Sequence, residues 1–221
     1  VRCTGKRMTK VIGIVQLKGG AGRSTLATNL GALLAREAPT AIVDCDMPQG
    51  TTASWYSLRE AEGRTEGLAL ATVETARELI ATIESLDHDY VVIDAPPRIA
   101  EVTRAILMLS DLLLIPLGAS AAEIWATTDL LDTIEEAQGQ RQELKSRIVW
   151  NKFRAYTKSA PELRDAVKKE LKAPSLKNTI GYRVAYSEAL ARGLAVDEWT
   201  DKVAKDEIRA VVAEVQRLVS R

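Results

Sequence analysis

The sequence predicts an α/β protein built on a doubly wound, mostly parallel sheet with helices on both faces. Short, almost continuous Val/Ile/Leu runs alternate with longer segments whose apolar residues recur roughly every 3.6 positions. Such runs are typical of strands buried on both faces, and helical connections between them favour a parallel sheet. Polar residues directly follow four of the runs, where sheets of this kind bind ligands.

Each predicted element has its own stretch of this pattern. The predicted strands are Val11–Leu17, Thr40–Cys45, Leu68–Val73, Tyr90–Ala95, Leu112–Leu117 and Arg147–Asn151. The helical periodicity is clearest in Ser24–Glu37, Thr75–Leu86, Ile124–Ala137, Pro161–Leu171 and Thr200–Val219. We expect residues 1–10 to be a flexible polar leader and residues 11–221 to form one domain.

The composition narrows the classes of function. The 30 basic and 30 acidic residues balance, so any binding of nucleic acid needs a local patch rather than an overall field. No apolar run approaches the ~18 residues of a membrane span, and no secretory leader is recognisable, so we expect a cytoplasmic protein. Cys3 and Cys45 lie far apart in different contexts and indicate neither a disulfide framework nor a metal site.

The segment Leu17–Thr25, directly after the first strand, has the form of a phosphate-binding loop. Its glycines free backbone N–H groups to hold phosphates, and the positive end of the following helix assists them. The usual pattern, G-x-x-x-x-G-K-[ST], has glycine at the position of Leu17 and lysine at the position of Arg23. An additional lysine, Lys18, precedes the glycine pair.

Three aspartates lie at the carboxyl ends of two predicted strands. Asp94 closes the Tyr90–Ala95 strand, where a magnesium ion beside a phosphate loop needs a negative partner, directly or through water. Asp44 and Asp46 share a strand face, so one could orient water for attack on the γ-phosphate and the other support the metal. The competing interpretations are a strand-end aspartate that caps a turn and a solvated polar turn.

Together these segments resemble the ParA/MinD family of deviant-Walker ATPases. Lys18–Thr25 is similar to the family's KGGxGK[ST]T loop, Asp44–Gly50 to its DxDPQG segment with Met47 inserted, and Val92–Pro97 to its second carboxylate motif. Ser110–Leu117 with Glu123–Trp125, and later Arg183–Leu190, look like small single-domain ParA proteins, which partition plasmids or position cargo. The resemblance extends from about Val11 to the C-terminus.

The resemblance implies a nucleotide-driven switch using ATP/ADP and Mg²⁺. Two subunits would enclose ATP, with Lys18 reaching the partner's phosphates, Asp46 positioning water, and Ser24, Asp44 and Asp94 supporting magnesium. The residues implied to bind nucleotide are Lys18, Gly19, Gly20, Ala21, Gly22, Arg23, Ser24, Thr25 and, at an adenine-recognition position, Asn151. The implied partners are a second copy in a homodimer, nonspecific nucleoid DNA, and a hydrolysis-stimulating protein of ParB or adaptor type.

Arg23 departs from the family pattern, because a planar guanidinium does not replace a compact lysine ammonium at a tightly packed phosphate. Three explanations stay open: an engineered trap, a natural binder with slow or absent hydrolysis, and an enzyme that tolerates arginine. We expect nucleotide binding to be weakened and turnover to fall further. The alternative functions are a nucleotide-binding regulatory module without useful hydrolysis and a metabolic phosphotransferase on the same fold.

The last predicted helix carries a basic stripe opposite its apolar face, which makes it a candidate DNA surface. The stripe consists of Lys202, Lys205, Arg209 and Arg217, interrupted by Asp206; further candidates are Lys168, Lys169, Lys172, Lys177 and Arg183. This helix lacks the Phe or Trp anchors of a membrane-surface helix, so we expect no membrane partner. His88 is interpreted as surface structure, and Trp55, Trp125, Trp150 and Trp199 as packing residues.

Overall fold

The computed structural model describes residues 9–98, 100–118, 121–153, 162, 165, 167, 171 and 173–220. Six parallel strands form one sheet in the order β3-β2-β4-β1-β5-β6. The strands are β1 (Lys10–Ile14), β2 (Thr40–Asp44), β3 (Leu68–Thr72), β4 (Tyr90–Asp94), β5 (Leu112–Leu117) and β6 (Lys145–Trp150). The predicted doubly wound α/β class is confirmed.

Helices flank the sheet on both faces. Those described are α1 (Arg23–Leu34), α2 (Thr51–Ala61), α3 (Ala76–Ser85), α4 (Glu101–Leu109), α5 (Ala121–Gln140), α6 (Val184–Leu190) and α7 (Lys202–Val219), with a short 3₁₀ turn at Val196–Glu198. The sequence analysis did not name α2, α4 or α6. The predicted helix Pro161–Leu171 lies largely outside the described residues.

Two hydrophobic cores lie on opposite faces of the sheet, because successive strand side chains alternate in direction. Ile12 and Ile14 of β1 belong to the core formed with α1, α6 and α7. Val11 and Val15 belong to the core formed with α3, α4 and α5. This two-sided burial is why the strands read as continuous apolar runs.

The register brings the carboxyl ends of three strands level. Asp94 of β4 pairs with Asp44 of β2 on one side and with Ile14 of β1 on the other. The loops after β1, β2 and β4 therefore meet at one edge of the sheet. This edge carries the phosphate loop and all three predicted carboxylates.

Strand β1 differs from its prediction at both ends. It begins at Lys10, the last residue assigned to the leader, and ends at Ile14 rather than at Leu17. The chain leaves the sheet early because the Gln16 side chain is buried and bonds to backbone N–H groups of the loop. Residues 1–8 of the predicted leader lie outside the described residues.

Candidate functional site

The loop between β1 and α1 has the backbone geometry of an anion cradle. Gly20 and Gly22 adopt φ values of 76° and 96°, a left-handed conformation that strongly favours glycine. Helix α1 starts at Arg23, and no side chain caps its N-terminus. The N–H groups of its first turn can therefore meet an anion at the positive end of the helix dipole.

Gln16 fixes the start of the loop. Its Nε2 donates to Pro116 O at 3.2 Å and to Thr127 Oγ1 at 3.0 Å, and its Oε1 accepts from Leu17 N at 2.8 Å. The sequence analysis missed this residue. The available signal was a polar amide at the end of an apolar strand, where burial requires hydrogen-bond partners.

Asn151 supports the loop from the end of β6. Its Nδ2 donates to Ala21 O at 2.6 Å, and a Cβ atom on Gly22 would lie only 2.0 Å from this same nitrogen. The close approach explains why residue 22 is glycine. Asn151 was predicted to recognise adenine; here its amide is buried against the phosphate loop.

Arg23 points beneath the loop, where protein acceptors bind both terminal nitrogens of its guanidinium, while its buried Nε has no partner among the described residues. Nη1 donates to Gln16 O at 2.5 Å and to Lys18 O at 3.1 Å, while Nη2 lies 3.2 Å from Asp46 Oδ2. Only 7% of the Arg23 side chain is exposed. Arg23 thus joins the first loop to the loop after β2, a contact that one lysine ammonium could make only in part.

Lys18 lies at the mouth of the loop with 40% of its side chain exposed. Its Nζ is 3.5 Å from Glu123 Oε1, and the same carboxylate accepts a hydrogen bond from Gly118 N. A half-exposed ion pair of this length contributes little stability. Breaking this contact would therefore cost the fold little.

Asp94 is the buried carboxylate at the centre of the strand edge. Thr52 Oγ1 donates to its Oδ2 at 2.8 Å, whereas its Oδ1 has no hydrogen-bond partner within the described part of the chain. Burial raises the pKa of Asp94 from 3.8 to about 7, and the nearby Ser24 and Thr52 hydroxyls oppose this rise. A cation at this point would restore the ionised form.

Asp44 lies beside Asp94 at the end of β2, and both of its oxygens accept backbone hydrogen bonds. Its Oδ1 accepts from Asp46 N and its Oδ2 from Ala53 N, each at 3.0 Å, so it holds the loop after β2 and the first turn of α2. Burial raises the pKa of Asp44, and these backbone bonds partly offset the effect. Asp46 lines the cavity beside the loop, but Asp44 does not.

Two neighbouring cavities open at this edge of the sheet. The first, of about 470 Å³, is lined by the loop residues Gly19, Gly20, Gly22, Arg23, Ser24 and Thr25 together with Asp46, Gln49, Thr51, Pro97 and Lys152. The second, of about 300 Å³, is more apolar and is lined by Thr25, Asn151, Lys152, Gly181, Tyr182, Arg183, Val184, Tyr186, Ser187 and Leu190. Thr25 and Lys152 border both cavities. A phosphate chain in the first would place its nucleoside toward the second.

The oxygen donors at this edge suit magnesium. Among the described residues no three His, Cys, Asp or Glu side chains form a metal-binding cluster. Magnesium does not need one, because it commonly combines one or two carboxylates with water and substrate phosphates. Asp94 Oδ1, which has no hydrogen-bond partner among the described residues, and the nearby Ser24 hydroxyl fit this role. Each Asp44 oxygen accepts one backbone bond and keeps a lone pair for a metal ion or its water.

The structure corrects one packing prediction. Trp125 is 71% exposed and is therefore not a core residue, whereas Trp55 and Trp150 are buried and Trp199 packs against the core. Helical spacing placed Trp125 on α5 without specifying which face of the helix meets the sheet. Cys45 is buried and unpaired, and burial raises the pKa of its thiol, so it stays protonated; Cys3 lies outside the described residues.

The candidate DNA residues fall into separate groups. Helix α7 buries its apolar face as predicted and exposes Lys202, Arg209 and Arg217, although Arg209 Nη2 also lies 3.5 Å from Asp197 Oδ2. Arg183 also forms an ion pair, with Glu207, through Nη2 at 2.8 Å and Nε at 3.0 Å. The hydrogen bond to Glu207 raises the pKa of Arg183, and the carboxylate balances its positive charge. Lys168, Lys169 and Lys172 lie outside the described residues. No helix in the described part of the chain is long and apolar enough to cross a membrane.

A parallel sheet that presents a glycine-rich loop, an uncapped helix N-terminus and a buried carboxylate at one edge defines a P-loop nucleotide-binding protein. Comparison with known proteins narrows the class. The profile of the CobQ/CobB/MinD/ParA nucleotide binding domain matches residues 12–196, and the chain belongs to this family.

Relatives extend over nearly the whole chain. The chain is 28% identical over 209 residues to "Maintenance of carboxysome distribution protein A" of Halothiobacillus neapolitanus, with 92% of this chain and 95% of that protein covered. It is 26% identical to "Sporulation initiation inhibitor protein Soj" of Bacillus subtilis, with 84% and 89% covered. The solved Cyanothece McdA(D38A)-ATP complex shares the fold with a TM-score of 0.75 at 19% identity, covering 96% of this chain and 98% of that one.

Proposed function

We propose that this protein is a ParA-type ATPase switch that dimerises around ATP, binds DNA nonspecifically, and positions a plasmid, chromosome or protein cargo. The observation that carries the proposal is the phosphate loop, whose left-handed glycines and uncapped helix N-terminus form a cradle beside half-exposed Lys18. Residues 11–221 would act as one nucleotide-binding domain in a cytoplasmic, nucleoid-associated protein.

Nucleotide binding is assigned to the two adjoining cavities. The loop amides from Gly19 to Thr25 would hold the phosphates, and the more apolar cavity beside Asn151 would hold the nucleoside. Magnesium held by Ser24 and Asp94 would neutralise charge on the phosphates. The McdA relative of the same fold was solved as an ATP complex, which supports ATP as the ligand.

Hydrolysis is assigned to Asp46. Its carboxylate lines the phosphate cavity and is the group available to orient a water molecule toward the terminal phosphate. In the present arrangement the Arg23 guanidinium holds that carboxylate at 3.2 Å. Turnover therefore requires Asp46 to leave Arg23 or to bind water as well as Arg23. We accordingly expect slow ATP hydrolysis by the wild-type protein.

Dimerisation is assigned to Lys18. An ammonium at the loop mouth that contacts Glu123 at 3.5 Å can leave that carboxylate and bind the phosphates of a second subunit. DNA binding is assigned to α7, where Lys202 and Arg209 are exposed. The relatives include a carboxysome distribution protein and Soj, which supports a role in positioning a cargo inside the cell.

A second function rests on the Arg23–Asp46 contact. If the pair persists with nucleotide bound, the protein is a nucleotide-binding regulatory module that acts through its partners without useful turnover. Both functions share the same ligand and differ in whether phosphate is released.

One experiment separates the two functions. ATP turnover and sedimentation are measured for the wild type, Lys18→Ala and Arg23→Lys, with ATP, ADP and no nucleotide. The switch predicts an ATP-dependent dimer that Lys18→Ala abolishes, together with measurable turnover in the presence of DNA. Nucleotide binding without turnover in the wild type, together with turnover in Arg23→Lys, would favour the regulatory module, and a monomer in every nucleotide state would reject the switch.

A further inference from the structure

The end of β6 contacts the phosphate loop at two consecutive carbonyl groups. Asn151 Nδ2 donates to Ala21 O at 2.6 Å, and Lys152 Nζ donates to Gly20 O at 2.7 Å. These atoms are 130 and 132 positions apart in sequence. Two adjacent residues at the end of β6 thus bind two adjacent residues of the phosphate loop. These bonds fix the orientation of the loop relative to β6 as well as its distance from β6.

Lys152 has an unusual backbone conformation. Its φ of 52° makes it the one non-glycine residue with positive φ in the described part of the chain. A lysine in this conformation is strained, and such strain persists only where surrounding contacts maintain it. Here Asn151 Oδ1 accepts a hydrogen bond from Lys152 N at 2.9 Å, so the same amide holds both the loop and the strained residue.

Lys152 also lies between the two cavities. It lines the phosphate cavity with Gly20 and the more apolar cavity with Tyr182, and its ammonium reaches the loop across the border between them. Arg23, which has the place of the usual phosphate-binding lysine, is directed beneath the loop to protein acceptors. The loop is therefore held from below by Arg23 and from the side by Lys152.

We propose that Asn151 and Lys152 form a clasp that sets the conformation of the phosphate loop, with Lys152 as its positioning residue. The inference rests on the proposed function only in taking a nucleoside triphosphate as the ligand of the loop. The clasp links the two cavities mechanically. A nucleoside would contact Lys152 and phosphates would contact Gly20–Gly22, and the hydrogen bond from Lys152 to Gly20 joins these two contacts. Lys152 acts through the loop carbonyl.

The test compares Lys152→Met, Lys152→Arg and Lys152→Gly with Arg77→Met, which removes an exposed charge from α3. Amide hydrogen exchange of the loop, residues 17–25, is measured in the nucleotide-free protein, so the result does not depend on hydrolysis or dimerisation. Lys152→Met should increase loop exchange about fivefold, the effect of losing roughly one charged hydrogen bond at an exposed site. Lys152→Arg should restore part of the protection, and Arg77→Met should change nothing.

Two further readouts distinguish positioning from other roles. Lys152→Gly relieves the strained φ, so it should loosen the loop without lowering the unfolding temperature, unlike a change that merely weakens the fold. Lys152→Met should weaken binding of inorganic tripolyphosphate and of ATP by similar factors, because both use the loop. Unchanged loop exchange, or weakened ATP binding with unchanged tripolyphosphate binding, would overturn the clasp; failure of the proposed switch would leave the exchange result intact.

Discussion

The Arg23 guanidinium lies 3.2 Å from the Asp46 carboxylate and joins two loops whose residues are 23 positions apart. Both side chains are largely buried, with 7% of Arg23 and 14% of Asp46 exposed. Removing one partner of such a pair leaves the other charge desolvated. The pair therefore ties the substituted position of the phosphate loop directly to the carboxylate proposed to orient water.

The first prediction concerns Arg23→Lys. Lysine has one ammonium and cannot hold Gln16 O, Lys18 O and Asp46 together as the guanidinium does. We expect ATP turnover to rise on the order of tenfold, less than the roughly 100-fold or more of one complete catalytic contact, with a smaller gain in ATP affinity. Steady-state phosphate release and equilibrium nucleotide binding check the two effects, and unchanged turnover would contradict the assignment.

The second prediction concerns two loop glycines. Gly22→Ala should destabilise the nucleotide-free protein by about 2 kcal/mol, because the methyl group would displace Asn151 from Ala21 O at a positive φ. Gly19→Ala is the matched control, since a Cβ there meets nothing within 4 Å. Chemical unfolding of both variants gives the comparison, and equal losses of stability would be inconsistent with the geometry.

The third prediction concerns pH and Asp94. The pKa of this carboxyl is about 7 in the folded protein and near 3.8 in the unfolded chain, so between these values the folded state binds more protons. Its contribution to stability therefore falls as pH rises from about 4 to 7. Asp94→Asn should remove this contribution and, relative to the wild type, raise the unfolding temperature by on the order of 5 °C at pH 8.

The measurement for Asp94 is thermal unfolding of both proteins without nucleotide from pH 5 to pH 8. The difference between them reports Asp94 together with its electrostatic interaction with the neighbouring Asp44 carboxylate. A difference that does not grow with pH would mean that Asp94 is already ionised in the folded state. Magnesium nucleotide should narrow the difference for the wild type, since metal binding favours the ionised carboxylate.

The fourth prediction concerns DNA. Lys202→Ala combined with Arg209→Ala should weaken binding to all DNA sequences alike and lower the slope of log affinity against log salt by about 2. Arg104→Ala, an exposed charge on α4 beside the opposite core, is the matched control. Filter binding or gel shift over a range of salt concentrations tests this. A slope unchanged from the wild type would exclude α7 as the DNA surface.

The sheet and its functional edge could be predicted because both depend on local patterns. All six predicted strands are present, and the apolar runs locate their carboxyl ends to within a few residues. The predicted site residues Ser24, Asp46 and Asp94 come together because parallel strands end at one edge. Asp44 lies at the same edge, and its side chain accepts hydrogen bonds from the backbone N–H groups of Asp46 and Ala53.

The contacts between loops could not be predicted, because they depend on tertiary distances. Nothing in the sequence pairs Arg23 with Asp46, Lys18 with Glu123, or Lys152 with Gly20. The prediction for Trp125 was wrong for a related reason, since helical spacing does not show which face of α5 meets the sheet: Ile124 is buried, whereas Trp125 next to it is exposed. Gln16 was missed because a single polar residue at a strand end carries no periodic signal.

The most direct test of the proposed switch is binding of the wild-type protein to nonspecific DNA, measured by gel shift with ATP, with ADP and without nucleotide. Tight binding is expected only with ATP, and Lys18→Ala should lose it while still binding ATP as a monomer. DNA affinity that is the same in all three nucleotide states would contradict a nucleotide-driven switch.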